Sequence, residues 1–128
     1  MSLNSSEERD PLTEKIIGCA IEVHRQPGPG LLESTYESAL CVEFELADLN
    51  FQRQLVHPIT YKGRTIGEHR LDLVIENAVI LEIKSVERHE PLFDAQLLTY
   101  LGITSLRRGL LINFNSRLLK DGIKRFVL

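Results

Sequence analysis

From Pro11 to about Arg25 the apolar residues Leu12, Ile16, Ile17, Ala20, Ile21 and Val23 recur at three- and four-residue steps, the spacing of one face of an amphipathic helix. Pro11 suits a first helical turn, where its missing N–H costs nothing. "QPGPG" at 26–30 breaks the pattern, because proline removes donors and glycine opens conformations closed to other residues. A second helix is expected from about Leu32 to Leu49, with Tyr36, Leu40, Phe44 and Ala47 along one stripe.

After Asn50 the pattern changes to β-branched residues mixed with polar ones. "YKGR" supplies a turn between two strands, the second running through Asp72 toward Glu76. "AVILEIK" reads as a third strand, "EPLFDAQLLTYLGI" returns to helical spacing behind Pro91, and "RRGLLINFN" and "GIKRFVL" read as two closing strands. The expected order is ααβββαββ over residues 11–128, a single α/β domain, with residues 1–10 disordered.

A chain of 128 residues that is 43% hydrophobic is long enough for one modest core. No apolar run approaches the ~20 residues of a membrane span. "MSLNSSEERD" lacks the basic and apolar regions of a secretory signal, so a soluble cytoplasmic protein is expected. Cys19 and Cys41 fall in apolar helical patterns with no CxxC spacing, which favours buried, reduced thiols. The net charge of −3 argues against bulk electrostatic gripping of nucleic acid. Its distribution softens that objection: residues 1–50 hold 3 bases against 10 acids, and residues 101–128 hold 6 against 1, which leaves room for a basic C-terminal face where Arg107 and Arg108 would be either solvated surface or phosphate contacts.

The chemistry concentrates in "LDLVIENAVILEIKS" at 71–85. If Glu76, Asn77 and Ala78 form a three-residue hairpin loop, Asp72 stands across from Glu82, and Lys84 shares the face of Glu82. Leu71, Leu73 and Ile75 would fill the other face. Directly opposed Cβ atoms are ~5 Å apart, so two carboxylates there repel unless something positive lies between them. A hard divalent cation, Mg²⁺ or Mn²⁺, suits such oxygen donors. Set against this, an acid in a strand is usually no more than the wet side of a half-buried sheet.

Asp72, nine intervening residues and then Glu82-Ile83-Lys84 resemble the core motif of the PD-(D/E)XK nuclease superfamily. "GPGLLESTYESAL" resembles the signature of the bacterial GxxExxY proteins, through Gly30, Glu33 and Tyr36. "AQLLTYL" is similar to the QxxxY motif of the lambda-exonuclease-like branch, through Gln96 and Tyr100. The proline that often precedes the first motif aspartate is Leu71 here.

The resemblance implies a restriction-endonuclease-like core, a central mixed β-sheet flanked by helices. It implies a nuclease acting on nucleic acid, with DNA favoured over RNA. Its ligands for Mg²⁺ or Mn²⁺ would be Glu33, Asp72, Glu82 and the Ile83 carbonyl, with Lys84 completing the catalytic set. Gln96 and Tyr100, four apart on one helix face, would meet substrate, as would His24. A homodimer would let so small a chain embrace a duplex. The alternatives are a catalytically silent binding or regulatory module on the same fold, and a purely structural domain. By their types alone, Glu33 suits a first-turn acid and His24 a helix-end residue, both favoured by the helix dipole.

Overall fold

A computed structural model describes residues 10–128, together with the backbone of residues 2–3. The expectation of a disordered segment over residues 1–10 otherwise lies outside the described residues. Strand β1 is the two-residue Ser2–Leu3. Helices α1 (Pro11–Arg25) and α2 (Glu33–Leu46) follow, then strands β2 (Phe51–Tyr61), β3 (Arg64–Ile75) and β4 (Val79–Lys84). Helix α3 (Pro91–Thr104), β5 (Arg108–Asn113), a 3-10 turn (Leu119–Gly122) and β6 (Ile123–Val127) complete the chain. The strands form one mixed sheet in the order β1-β6-β5-β4-β3-β2, with only β4 and β5 parallel.

Helix α1 begins where Asp10 caps it, its Oδ1 accepting from Thr13 N–H at 3.0 Å and its Oδ2 from the Thr13 hydroxyl at 2.7 Å. The helix ends at the glycine–proline loop, where Gly28 and Gly30 have φ of 65° and 109°, conformations that strain any residue with a Cβ. Helix α2 stops at Leu46, before the expected Leu49. Asp48 turns left-handed at φ 57°, and Leu49 N–H bonds back to the Phe44 carbonyl. Leu49 is still buried, so the apolar spacing outlasts the helix.

Alternation along the strands divides the core in two. Val79, Leu81, Ile83, Leu110 and Ile112 face α1 and α2, meeting Ile16, Ala20, Leu40 and Phe44. Val74, Ile80 and Leu111 face α3, meeting Leu97 and Leu101. The strand period of two accounts for this division on β4 and β5.

The period fails at the level of Asp72, and a separate register shift lies further out between Ile59 and Thr60. Leu73 and Ile75 pack toward α1 and α2, but Leu71, expected beside them, packs in the α3 cluster. Its neighbour β2 changes sides with it: Phe51 meets the first cluster and Leu55 the second. Between them Gln54 has φ 54°, and the cross-strand pairing passes from Arg53↔Leu73 to Leu55↔Leu71 without pairing Gln54 to Asp72. Both strands therefore swap faces at the level of Asp72.

Candidate active site

The β3–β4 hairpin has the expected three-residue loop. Glu76 and Asn77 take left-handed φ of 54° and 51°, and Ala78 N–H closes onto the Ile75 carbonyl. The register runs Ile75↔Val79, Val74↔Ile80 and Leu73↔Leu81, and one further step sets Asp72 against Glu82. At that step the regular pairing stops. Asp72 Oδ2 accepts from the Ile83 backbone N–H at 2.8 Å, so a carboxylate takes the place of a ladder carbonyl. Asp72 thus sits where the sheet is interrupted toward both neighbours, fixed by a backbone donor.

Glu82 is 7% exposed, and its Oε1 finds no hydrogen-bond partner among the described residues. Burial first, and then the adjacent Asp72 charge, push its pKa up to about 9, with the Lys84 ammonium drawing it weakly back. An ionised carboxylate without partners is expensive in such a place. Lys84 projects from the same face of β4 toward α3, its Nζ lying 4.3 Å from the centre of the Phe93 ring.

Helix α2 brings Glu33 to the end of β4. Tyr36 is fully buried, stacks on Phe114 at 4.5 Å, donates its hydroxyl proton to the Gly28 carbonyl and accepts from Leu31 N–H. It therefore pins the glycine–proline loop to the first turn of α2. From the other side, Ser85 Oγ donates to the Leu31 carbonyl at 2.7 Å, and Ser85 N–H points to Glu33 Oε2 at 3.4 Å. Glu33, Asp72, Ile83, Glu37 and Gln54 line one cavity of about 210 Å³. Among the described residues, however, no group of three His, Cys, Asp or Glu side chains gathers closely enough to hold a metal ion. The acids converge as a pair, Asp72 with Glu82, and Glu33 shares a cavity with Asp72 alone of the two, where it faces the Ser85 N–H.

Tyr100 approaches this pair from α3: burial, followed by the charges of Glu82 and Asp72, raises its phenol pKa. Its ring lies 4.3 Å from that of His69 on β3. Gln96 is half-buried one turn earlier on α3. His24 is buried at the end of α1, where its Nε2–H donates to the Ser116 carbonyl at 2.9 Å. Cys19 and Cys41 are buried and unbridged.

Sequence reading missed two supports of the site. Glu37, one helical turn after Glu33, accepts from Arg53 Nε at 2.6 Å and Gln54 Nε2 at 2.7 Å, holding β2 against α2 at the irregular position. The Glu33–Glu37 spacing of four was the available signal. Asn113 clamps the chain leaving β4, its Oδ1 accepting from Val86 N–H and its Nδ2 donating to the Val86 carbonyl. No sequence pattern marks that pair.

The two acids that do converge, Asp72 and Glu82, are oxygen donors of the kind a divalent ion takes, although no third acid among the described residues joins them. Two carboxylates stand together in a desolvated place, one of them carries an oxygen with no partner, and hard cations take oxygen donors of this kind. A mixed sheet flanked by helices, with Asp, Glu and Lys where two central strands part, defines a nuclease-like α/β class. A sequence model of the PD-(D/E)XK nuclease superfamily matches residues 10–126, and the chain belongs to that superfamily. No curated protein and no solved structure matches it. No helix among the described residues is long and apolar enough to cross a membrane.

Proposed function

We propose that this protein is a divalent-metal-dependent nuclease that hydrolyses phosphodiester bonds, of DNA in preference to RNA, and that it is of the GxxExxY type within the lambda-exonuclease-like branch. The observation that carries this reading is the buried Glu82 carboxyl against Asp72, with an oxygen left without a partner among the described residues. Folding this pair without a cation is costly, and a binding site for Mg²⁺ or Mn²⁺ explains why it is kept.

Asp72, Glu82 and the Ile83 carbonyl would hold the ion, with Glu33 as the carboxylate at the cavity's other wall. A divalent ion supplies Lewis acidity toward phosphoryl oxygens and lowers the pKa of water into the neutral range. Lys84 offers its ammonium to the negative charge that develops on phosphorus, in a place dry enough for that charge–charge interaction to count. Phe93 under the ammonium restricts where it can point. Tyr100 and Gln96 present a phenol and an amide from α3 to the phosphate or base beside the scissile bond. His24, committed to the Ser116 carbonyl, acts in this reading by holding the end of α1.

The test is cleavage of labelled DNA and RNA by the purified protein with Mg²⁺ or Mn²⁺, alongside titration calorimetry of the ions. Cleavage that needs the metal supports the proposal; neither cleavage nor ion binding would overturn it. The absence of a third converging acid among the described residues favours a second reading, a catalytically silent binding module. Ion binding without turnover on any nucleic acid is its signature.

A further inference from the structure

Beyond the body of the sheet, β2 and β3 continue as a two-stranded arm. From Val56 to Arg70 all but three residues are exposed, Tyr61 and Ile66 at 59% and 64%. The arm closes on Lys62 and Gly63, with φ of 49° and 77°, a tight turn that projects both strands. It carries Lys62, Arg64 and Arg70 against the single acid Glu68, in a chain whose net charge is −3.

Every base of this arm lacks an ion pair among the described residues, whereas the C-terminal end is half neutralised, Arg107, Arg117 and Lys120 being its unmatched bases. At the C-terminal end, where the sequence suggests a basic face, Arg108 pairs with Asp10, Arg125 with Glu14 and Lys124 with Asp94. Arg53 and Arg25 are likewise matched, to Glu37 and Glu22. Among the described residues Lys62, Arg64 and Arg70 form no ion pair, and Lys62 lies over the exposed Tyr61 ring.

The arm is continuous with the site. His57 pairs with His69 across it, and the His69 ring meets Tyr100. Eight residues of extended chain separate Asp72 from Arg64, a reach of ~26 Å at ~3.3 Å per residue. That is less than one turn of a duplex, ~34 Å, and a two-stranded ribbon fits a major groove ~12 Å wide.

We infer that the distal β2–β3 hairpin grips double-stranded nucleic acid, with Lys62, Arg64 and Arg70 on its phosphates, while a phosphate of the same duplex lies at Asp72 and Glu82. This rests on the nuclease reading for what happens at the acids, but the grip itself does not require turnover. Sheet extension by a second copy is disfavoured, because β2 is the edge strand and Pro58, exposed in its middle, has no N–H to donate.

Binding is measured by fluorescence anisotropy in EDTA, with a labelled DNA duplex of about two helical turns and the matching single strand, across a salt series. The comparison is wild type against Lys62→Ala/Arg64→Ala/Arg70→Ala, whose changes are all at exposed positions. Each phosphate contact contributes about 0.9 to the slope of log affinity against log salt, so the variant's slope for duplex should be shallower by roughly 2.7. Its thermal midpoint should match wild type. An unchanged slope, or a wild type that binds no duplex, would overturn the inference. An equal loss on single strand and duplex would overturn the assignment to a duplex. A wild type that binds through the arm but cuts nothing leaves the grip standing and removes the nuclease; a variant that cuts and binds as wild type does the reverse.

Discussion

Two glutamates in this molecule are nearly equally buried, Glu37 at 6% and Glu82 at 7% exposure, and the chain treats them in opposite ways. Glu37 is met by the Arg53 guanidinium and the Gln54 amide, so both carboxylate oxygens have donors and the helix is tied to the strand. Glu82 is met by another carboxylate, and one oxygen has no donor among the described residues. Burial of an acid therefore does not by itself mark chemistry. What marks it is burial that the surrounding protein leaves uncompensated.

The largest test of that contrast is catalytic. Asp72→Ala and Glu82→Ala should each lower metal-dependent cleavage by on the order of 10³-fold or more, as for members of a group that acts as a unit. Glu37→Gln, which keeps its shape and a hydrogen-bonding oxygen, should cost less than about tenfold in the same assay. Equal losses at the two glutamates would erase the distinction.

Next in size are effects on stability in EDTA, read by urea unfolding. Arg53→Ala leaves a buried carboxylate with only Gln54 and should cost about 2 kcal/mol. Glu82→Gln should do the opposite and raise stability at mildly alkaline pH. The folded pKa of Glu82, about 9, lies above its ordinary value of 4.5. Between those values the native state binds a proton that the unfolded chain lacks, so this group's contribution declines as pH rises through the window. Wild type minus Glu82→Gln should therefore show a negative slope between about pH 5 and pH 9, and saturating Mg²⁺ should reduce it.

The smallest effect concerns Tyr36. Tyr36→Phe removes the donor to the Gly28 carbonyl and the acceptor for Leu31 N–H, at a cost of about 1–2 kcal/mol. If the loop it pins also sets Glu33, metal affinity should weaken by several-fold more than in Glu37→Gln; calorimetry separates the two.

Local pattern carried most of the fold. The element order from α1 onward, the three-residue hairpin loop and the Asp72–Glu82 register follow from short-range spacing, because strand period and turn chemistry are local. The face swap at Gln54 and Asp72 does not. Leu71, Leu73 and Ile75 read as ordinary alternation, and only the paired irregularity in β2 reveals that Leu71 crosses to α3. The C-terminal bases were visible, but the pairing of Arg108 with Asp10 and of Arg125 with Glu14, about a hundred residues away in sequence, was not. For the site, the sequence displayed the acids and the lysine. The desolvation that raises the pKa of Glu82 arises only when α3 and the sheet close over it.

The simultaneous change of sides by β2 and β3 also restricts how this chain can vary. The ribbon already carries one unmatched residue, at the register shift between Ile59 and Thr60, so a further insertion in one strand alone between that shift and Asp72 would turn over the side chains of the pairs from Leu55↔Leu71 to Ile59↔Gly67. Natural variants should therefore change the stretch between Asp72 and that shift by matched additions on both strands, leaving Asp72 at its hinge.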